Sequence, residues 1–185
     1  MKRIFAAVKI IPNENFLQIY YRLKHAMKND KIKWVPEGNI HITLKFFGET
    51  EEKAIEPICE VLDDVSRDFQ VFNINFSKVG IFGSSYKPRV IWFGIENNNT
   101  LESMAKSLNN SLEQIGIKND RQNFVPHLTI ARIKSIWDKK LFQKEIEKYR
   151  NIEIQNFYAD KIILFESILM PQGPKYEIIE SFNLS

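Results

Sequence analysis

Apolar residues form two kinds of pattern along the chain. Short continuous runs are typical of buried strands, and apolar positions at three- and four-residue intervals are typical of amphipathic helices. The run at 3–11 predicts a strand that ends at Pro12, and Asn13 is placed to cap a following helix. By the same criteria, strands are predicted at 40–47, 69–82, 89–95, 125–131, 152–157, 160–169 and 175–182, and helices from Thr50 onward, at 101–115 and at 138–150.

Glycine and proline mark the ends of these elements, but no stretch of the sequence indicates a linker between domains. Gly48 is expected to stop the strand at 40–47, Gly116 to end the helix at 101–115, and 83–88 to form a hairpin loop. No low-complexity segment and no linker rich in Pro, Gly or Ser is present. We therefore expect residues 1–185 to form a single unit in which any two lobes are packed together.

Composition narrows the class of protein. The 185 residues are 44% hydrophobic and 26% charged, which favours a folded domain with a real core. The formal net charge of +3 permits contact with phosphate but is unlike that of a protein that coats nucleic acid. Cys59 is the only cysteine, so an internal disulfide is excluded, and no segment has the length of a membrane span. A cytoplasmic protein that does not bind membranes is expected.

One short sequence occurs twice. His41-Ile42-Thr43-Leu44 is repeated as His127-Leu128-Thr129-Ile130, each time within a predicted strand. Because residues two apart share a face of a strand, each copy presents a His and a Thr together. The third histidine, His25, lies between lysines on the first predicted helix and is expected at the surface.

Paired His and Thr side chains suit chemistry at phosphorus. Imidazole titrates near neutral pH, so one ring can act as a base while the other acts as an acid. A threonine hydroxyl beside each ring can donate to a phosphate oxygen. In-line displacement at phosphorus needs a base on one side and an acid on the other, which two His-Thr pairs supply.

Two other kinds of chemistry are less favoured. Zinc catalysis needs at least three protein ligands, and the acids nearest the motifs, Glu37, Glu49 and Asp120, are not at ligand spacing. Nucleophilic catalysis has no Gly-x-Ser-x-Gly sequence to support it, and a Walker-type phosphate loop is also missing. Cys59 lies among apolar residues and is expected in the core. We therefore expect neither a metal nor a cofactor.

Longer blocks of sequence carry a family resemblance. The two motifs, with the sequences around them at 3–8, 33–49, 88–92, 124–132, 166–167 and 173–176, resemble the 2H phosphoesterases. Within that superfamily the chain is similar to RNA 2′,3′-cyclic phosphodiesterases, also called 2′-5′ RNA ligases. The resemblance covers nearly the whole chain.

The resemblance implies both a fold and a reaction. The implied fold is α+β, with two similar lobes, each an antiparallel sheet backed by helices, flanking a central cleft. The implied reaction opens a 2′,3′-cyclic phosphate on an RNA end, with His41 as proton donor and His127 as proton acceptor, to leave a 2′-phosphate. Thr43, Thr129 and Arg132 are then expected to bind the phosphate, and the protein to act as a monomer on RNA or an oligonucleotide.

Strand geometry sets a condition for Arg132 to lie on the same face as His127. Five residues separate it from His127, so strict alternation puts the two on opposite faces unless a strand end or bulge near Ala131 intervenes. Otherwise Arg132 would form a surface ion pair. Phe47 shares its parity with His41 and is a candidate to stack a base or to fill the core. Further candidates for the cleft or for RNA contact are Trp34, Lys45, Arg89 and Arg121.

Two other functions are compatible with the same residues. The first is ATP-independent joining of RNA ends through a 2′-5′ linkage, and the second is binding of RNA ends without catalysis. The sequence does not identify the physiological RNA.

Overall fold

The computed structural model describes residues 1–84, 86–96, 99–118 and 124–185. Asp120 and Arg121, together with Ser85 of the predicted hairpin loop, lie outside the described residues. The described strands are β1 (Lys2–Lys9), β2 (Lys31–Trp34), β3 (His41–Thr50), β4 (Phe72–Ser84), β5 (Lys87–Glu96), β6 (His127–Ser135), β7 (Glu153–Ala159), β8 (Lys161–Met170) and β9 (Gly173–Asn183). The described helices are α1 (Glu14–Ala26), α2 (Ile55–Arg67), α3 (Asn99–Gln114) and α4 (Lys139–Glu147).

The strands form two antiparallel sheets. A four-stranded sheet has the order β3-β1-β8-β9, and a five-stranded sheet has the order β2-β6-β5-β4-β7. Helices α2 and α3 pack on the first sheet, and α1 and α4 pack on the second. The expected α+β fold with two helix-backed antiparallel sheets is confirmed. Neither sheet is a continuous half of the chain, since β2 of the five-stranded sheet lies between β1 and β3, and β4 to β7 lie between β3 and β8.

The core explains how the two sheets are held together. One cluster of buried apolar side chains contains Val8 and Ile42 from the four-stranded sheet and Ile91 and Leu128 from the five-stranded sheet. A second, smaller cluster contains Phe5, Ala7, Ile163 and Phe165, with Tyr176 packed against it. Successive residues of β1 alternate between the two clusters, because neighbouring side chains in a strand point to opposite faces. The four-stranded sheet therefore has apolar residues on both faces.

Several element ends follow the expected local chemistry. The Asn13 side chain caps α1 by accepting a hydrogen bond from the Phe16 amide over 2.8 Å. Gly116 follows α3 with φ of +84°, a conformation that favours glycine.

Other element ends differ from the sequence prediction. β3 continues through Gly48 to Thr50, and the helix predicted from Thr50 begins at Ile55 after a 3₁₀ turn, Glu52–Ala54. β2 is not among the predicted strands, because its four residues are too few to show a periodic pattern.

Candidate active site

A cavity of about 1240 Å³ is lined by residues from both sheets and from α3. His41 and Thr43 of β3 line it together with His127, Thr129 and Arg132 of β6. All five site residues expected from the sequence therefore lie around the same cavity.

The two histidines are held by the backbone in the same way. His41 Nδ1 lies 2.6 Å from the carbonyl oxygen of Asn39, and His127 Nδ1 lies 2.7 Å from that of Val125. A carbonyl can only accept, so each Nδ1 carries the hydrogen and Nε2 is the second ring nitrogen. In a neutral ring that Nε2 is a proton acceptor, and in a charged ring it is a proton donor. The same tether thus suits either half of an acid/base pair.

Both motifs are followed by an irregularity in strand pairing. In β3, Thr43 pairs with Ala7 and Lys45 with Ala6, so Leu44 is an extra residue. In β6, Thr129 pairs with Trp92 and Ala131 with Ile91, so Ile130 is the extra residue. A bulge of this kind shifts the alternation of faces by one residue.

The bulge in β6 explains the position of Arg132. Ile130 and Ala131 are both fully buried, although they are consecutive. The next residue, Arg132, is exposed and lines the cavity on the same side as His127 and Thr129. The bulge near Ala131 that the arginine would need is therefore present.

The irregular pairing of β3 decides between the two expectations for Phe47. Phe46, the residue equivalent to Arg132 in the repeat, lines the cavity and is 45% exposed. Phe47 instead packs against the main core. Of the two expectations for Phe47, filling the core is confirmed. Parity counted from His41 does not reach Phe47, because Leu44 is an extra residue and brings Phe46 to the side of His41 and Thr43. A second irregularity follows at once, since Phe46 pairs with Phe5 and Gly48 with Ile4, which leaves Phe47 as another extra residue.

Aromatic rings surround His41. Its ring centroid lies 4.9 Å from that of Phe5 and 5.3 Å from that of Tyr176. Burial lowers the pKa of His41, the hydrogen bond to the Asn39 carbonyl partly offsets this, and the nearby charge of Arg132 lowers the pKa as well. Burial raises the pKa of Tyr176, while Arg132 and Arg3 act in the opposite direction. Two guanidinium groups therefore act on the His41 end of the cavity.

A different row of rings supports His127. Phe82 lies edge-on to His127 at 4.7 Å, and Phe82 in turn contacts Trp92 at 5.4 Å. Gly80 makes room for the indole, since a Cβ there would lie 2.2 Å from Trp92 Cζ2. These ring contacts come from β4 and β5 of the five-stranded sheet and add to the tether at Val125.

Several residues of the cavity were not assigned a role from the sequence. Arg3 has its guanidinium 4.9 Å from the centroid of the Phe46 ring. Among the described residues, neither Arg3 nor Arg132 forms a salt bridge. Lys106 of α3 adds a further cation to the lining, and Glu102 adds an anion. The signal for Arg3 was its parity, since Arg3 and Phe5 alternate with the core residue Ile4 in β1.

The remaining sequence candidates have other surroundings. Lys45 lines the cavity, but it is only 3% exposed, and its ammonium donates to Asn109 Oδ1 and to the Lys118 carbonyl, each over 3.0 Å. Trp34 packs against Tyr20 at 5.4 Å, and neither Trp34 nor Arg89 lines the cavity.

Cys59 and His25 are also outside the site. Cys59 lies in the core, as expected, where burial raises the pKa of its thiol to about 12. His25 is exposed on α1 and does not line the cavity. In the part of the chain that the structure describes, no three His, Cys, Asp or Glu side chains form a group that could hold a metal ion.

The fold and the cavity together define a phosphoesterase of the two-histidine class, with one His-Thr pair from each of two antiparallel sheets. The chain belongs to the family described as LigT like Phosphoesterase, whose model matches residues 8–92 and 94–176. This match confirms the family resemblance seen in the sequence.

Two curated relatives match along almost their full length. A Methanocaldococcus jannaschii protein named RNA 2′,3′-cyclic phosphodiesterase is 38% identical over 180 residues, which cover 97% of this chain and 99% of that protein. An Aquifex aeolicus protein of the same name is 36% identical over 189 residues, covering 100% of this chain and 99% of the relative.

Solved structures share the fold. A Thermus thermophilus protein superposes with a TM-score of 0.81 at 24% identity, covering 98% of this chain and 97% of that one. Escherichia coli LigT complexed with 3′-AMP superposes with a TM-score of 0.77 at 18% identity, covering 100% of this chain and 98% of that one.

None of the helices in the described residues combines the length and the hydropathy needed to cross a membrane.

Proposed function

We propose that this protein hydrolyses 2′,3′-cyclic phosphates at RNA ends to 2′-phosphomonoesters, using two histidines and no metal ion. The observation that carries the proposal is the shared cavity, which two imidazoles line with their Nδ1 atoms tied to backbone carbonyls. The names of the M. jannaschii and A. aeolicus relatives support the RNA cyclic phosphate as the substrate.

The reaction is a displacement by water at phosphorus. His127 Nε2 accepts a proton from water as the water oxygen forms a bond to phosphorus. The bond from phosphorus to O3′ breaks, and His41 Nε2–H gives its proton to that oxygen. The product keeps the phosphate on O2′, and proton exchange with solvent returns both rings to their starting states. The hydrogen bond from each Nδ1 to a backbone carbonyl supports the use of both rings in proton transfer, because it leaves each Nε2 free of the backbone.

The groups that bind the phosphate come from the same two strands. Thr43 and Thr129 can each donate a hydroxyl hydrogen to a non-bridging oxygen, and the Arg132 guanidinium supplies positive charge. Arg132 forms no salt bridge among the described residues, so its charge is available to an anion. Charge that develops on the phosphate during attack is stabilised by such groups in advance.

The donor role of His41 depends on the bound phosphate. In the free protein the pKa of His41 is lowered, chiefly by burial, which favours the neutral ring. An anion beside the ring favours the charged form, so binding of the cyclic phosphate raises this pKa toward the state that a donor requires. The assignment of His41 as donor and His127 as acceptor follows the family resemblance.

Phe46 is proposed to bind the terminal base, because its exposed ring lines the cavity on β3, the strand that carries His41. The proposal also treats residues 1–185 as one functional unit that acts as a monomer. Each chain holds both histidines, and the site combines residues of both sheets.

The test is a set of histidine variants assayed on an RNA oligonucleotide with a 2′,3′-cyclic phosphate end. His41→Ala and His127→Ala are each expected to lower kcat/KM by roughly 10²–10⁴-fold. His25→Ala, which removes the exposed histidine of α1, is the matched control and should retain full activity. Phosphorus NMR should show a 2′-phosphate, and EDTA should leave the rate unchanged.

The same assay separates the alternatives. Full activity in either cavity variant, or loss of activity in EDTA, would overturn the proposal. Formation of a 2′-5′ linkage from paired RNA halves without ATP would indicate end joining in this site. RNA binding without turnover on any cyclic phosphate would indicate an end-binding protein.

A further inference from the structure

We infer that Asn39 is a positioning residue, whose side-chain amide fixes the backbone carbonyl that holds His41. The importance of this role for catalysis rests on the proposed function, whereas the positioning itself does not.

Two hydrogen bonds link His41 through Asn39 to a different part of the cavity wall. The Asn39 carbonyl oxygen lies 2.6 Å from His41 Nδ1. The side-chain Nδ2 of the same residue donates to the Pro174 carbonyl at the start of β9 over 2.9 Å. The acceptor of His41 is therefore attached to the sheet edge that carries Tyr176.

Asn39 needs this attachment because of where it lies. It is the last residue of a 3₁₀ turn, Glu37–Asn39, between β2 of one sheet and β3 of the other. The backbone bonds of the turn are short-range, from the Asn39 amide to Pro36 and from the Ile40 amide to Glu37, and the Tyr21 hydroxyl donates to the Glu37 carboxylate. The side chain of Asn39 adds a contact to a residue 135 positions away in sequence.

An amide fits this position better than a charged group would. The ring of His41 is packed against Phe5 of β1 and Tyr176 of β9, and the charges of Arg132 and Arg3 act on this end of the cavity. The Lys33 ammonium of β2 lies beside Gly173, the residue before Pro174. Asn39 supplies a donor to Pro174 without adding charge. An aspartate of the same size would place a carboxylate against the Pro174 carbonyl, which cannot donate.

The other half of the site provides an internal reference. His127 Nδ1 is held by the Val125 carbonyl over 2.7 Å, and valine has no polar side chain with which to fix it. Rings around Phe82 support His127 instead. Loss of the Asn39 side chain should therefore affect one histidine and not the other.

The experiment uses Asn39→Ala and Asn39→Asp in the full-length protein, with Asn73→Ala as the control. Asn73 is an exposed asparagine on β4 whose amide is hydrogen-bonded to Asn156, outside the cavity. Long-range ¹H–¹⁵N NMR of the imidazoles reports which ring nitrogen carries the hydrogen. In the wild type, both His41 and His127 should give the signature of the form with hydrogen on Nδ1.

In both Asn39 variants the His41 signature should shift toward a mixture of tautomers, while that of His127 stays unchanged. On the cyclic phosphate substrate, kcat should fall by about 10-fold or more with a smaller change in KM, because a misplaced donor weakens the transition state more than the bound substrate. Asn73→Ala should alter neither measurement. The Asp variant keeps the size of the side chain and so covers the case in which the Ala variant does not fold.

An unchanged His41 signature in a folded Asn39 variant would overturn the inference, whatever the activity. A changed signature in a protein whose wild type has no cyclic phosphodiesterase activity would support the positioning role and refute the proposed function. The two failures are thus distinguishable.

Discussion

The His41 pair lies on β3, an edge strand of the four-stranded sheet, whereas the His127 pair lies on β6, between β2 and β5 of the five-stranded sheet. Both pairs have the same Nδ1 tether to a carbonyl two residues earlier, and both are followed by a bulge after the threonine. A repeated sequence therefore gives a repeated backbone geometry, even in strands with different neighbours.

The surroundings of the two pairs are not equivalent. His41 is packed between Phe5 and Tyr176, and its carbonyl partner is attached through Asn39. His127 has Phe82 beside it, and its carbonyl partner belongs to Val125, which has no polar side chain. After the bulges, one strand presents Phe46 to the cavity and the other presents Arg132. Similar backbones thus carry different side-chain chemistry, which is compatible with the distinct acid and base roles proposed for the two rings.

The largest expected effect would show which histidine is the proton donor and which is the acceptor. A substrate with sulfur in place of the bridging 3′ oxygen has a leaving group that needs little protonation. His41→Ala, which loses roughly 10²–10⁴-fold on the oxygen substrate, should lose much less on the sulfur substrate. His127→Ala should lose equally on both, because attack by water still needs a base. Single-turnover rates on the two substrates provide the comparison.

The opposite pattern, with rescue of His127→Ala by sulfur, would reverse the donor and acceptor. Equal losses by both variants on both substrates would mean that neither ring protonates the leaving group.

Smaller effects should distinguish Arg132 from Phe46, the residues that line the cavity beyond the two bulges. Arg132→Met removes charge beside the phosphate and should lower kcat/KM about 10²-fold on every cyclic phosphate substrate. Phe46→Ala removes about 1–3 kcal/mol of base stacking, which should raise KM for a nucleoside substrate and not for ribose 2′,3′-cyclic phosphate. Steady-state kinetics on the two substrates test both statements.

Phe47→Ala is the matched control for Phe46, since Phe47 packs against the core. It should lower Tm while KM on the folded protein stays close to that of the wild type. A base-independent loss in Phe46→Ala would contradict the stacking role.

These two positions also show how far sequence reasoning reaches. The motif spacing predicted that His41 and Thr43, and likewise His127 and Thr129, share a face, because alternation holds until the bulge. Beyond the bulge, the sequence left Phe47 open between base stacking and the core and did not point to Phe46, and it placed Arg132 only on the condition of a bulge. A bulge depends on the pairing of two strands distant in sequence, so neither strand alone reveals it.

In the fold, too, features set by neighbouring residues were predictable from the sequence, and features set by pairing between distant strands were not. Most strands and helices were predicted, and the Asn13 cap and Gly116 were recognised from local chemistry alone. The four residues of β2 were missed, because the strand is defined by its pairing with β6. Arg3 enters the cavity through the arrangement of β1 beside β3, and its sequence position carried only a weak signal of parity.

The smallest expected effect concerns the burial of the His41 ring. In the folded protein the pKa of His41 lies below its unfolded value, first because of burial and also because of Arg132. Below about pH 6.5 the unfolded chain therefore binds a proton that the folded protein does not. Stability contributed by the neutral ring is present above that pH and is lost as the pH falls toward the folded pKa.

His41→Gln should remove this part of the pH dependence of the free energy of unfolding. Urea unfolding at about pH 7.5 and about pH 5 should show a smaller acid loss for His41→Gln than for the wild type. His25→Gln, which changes the exposed histidine of α1, should follow the wild type at both values. Parallel losses in wild type and His41→Gln would mean that burial and Arg132 do not lower the pKa of His41 in the folded protein.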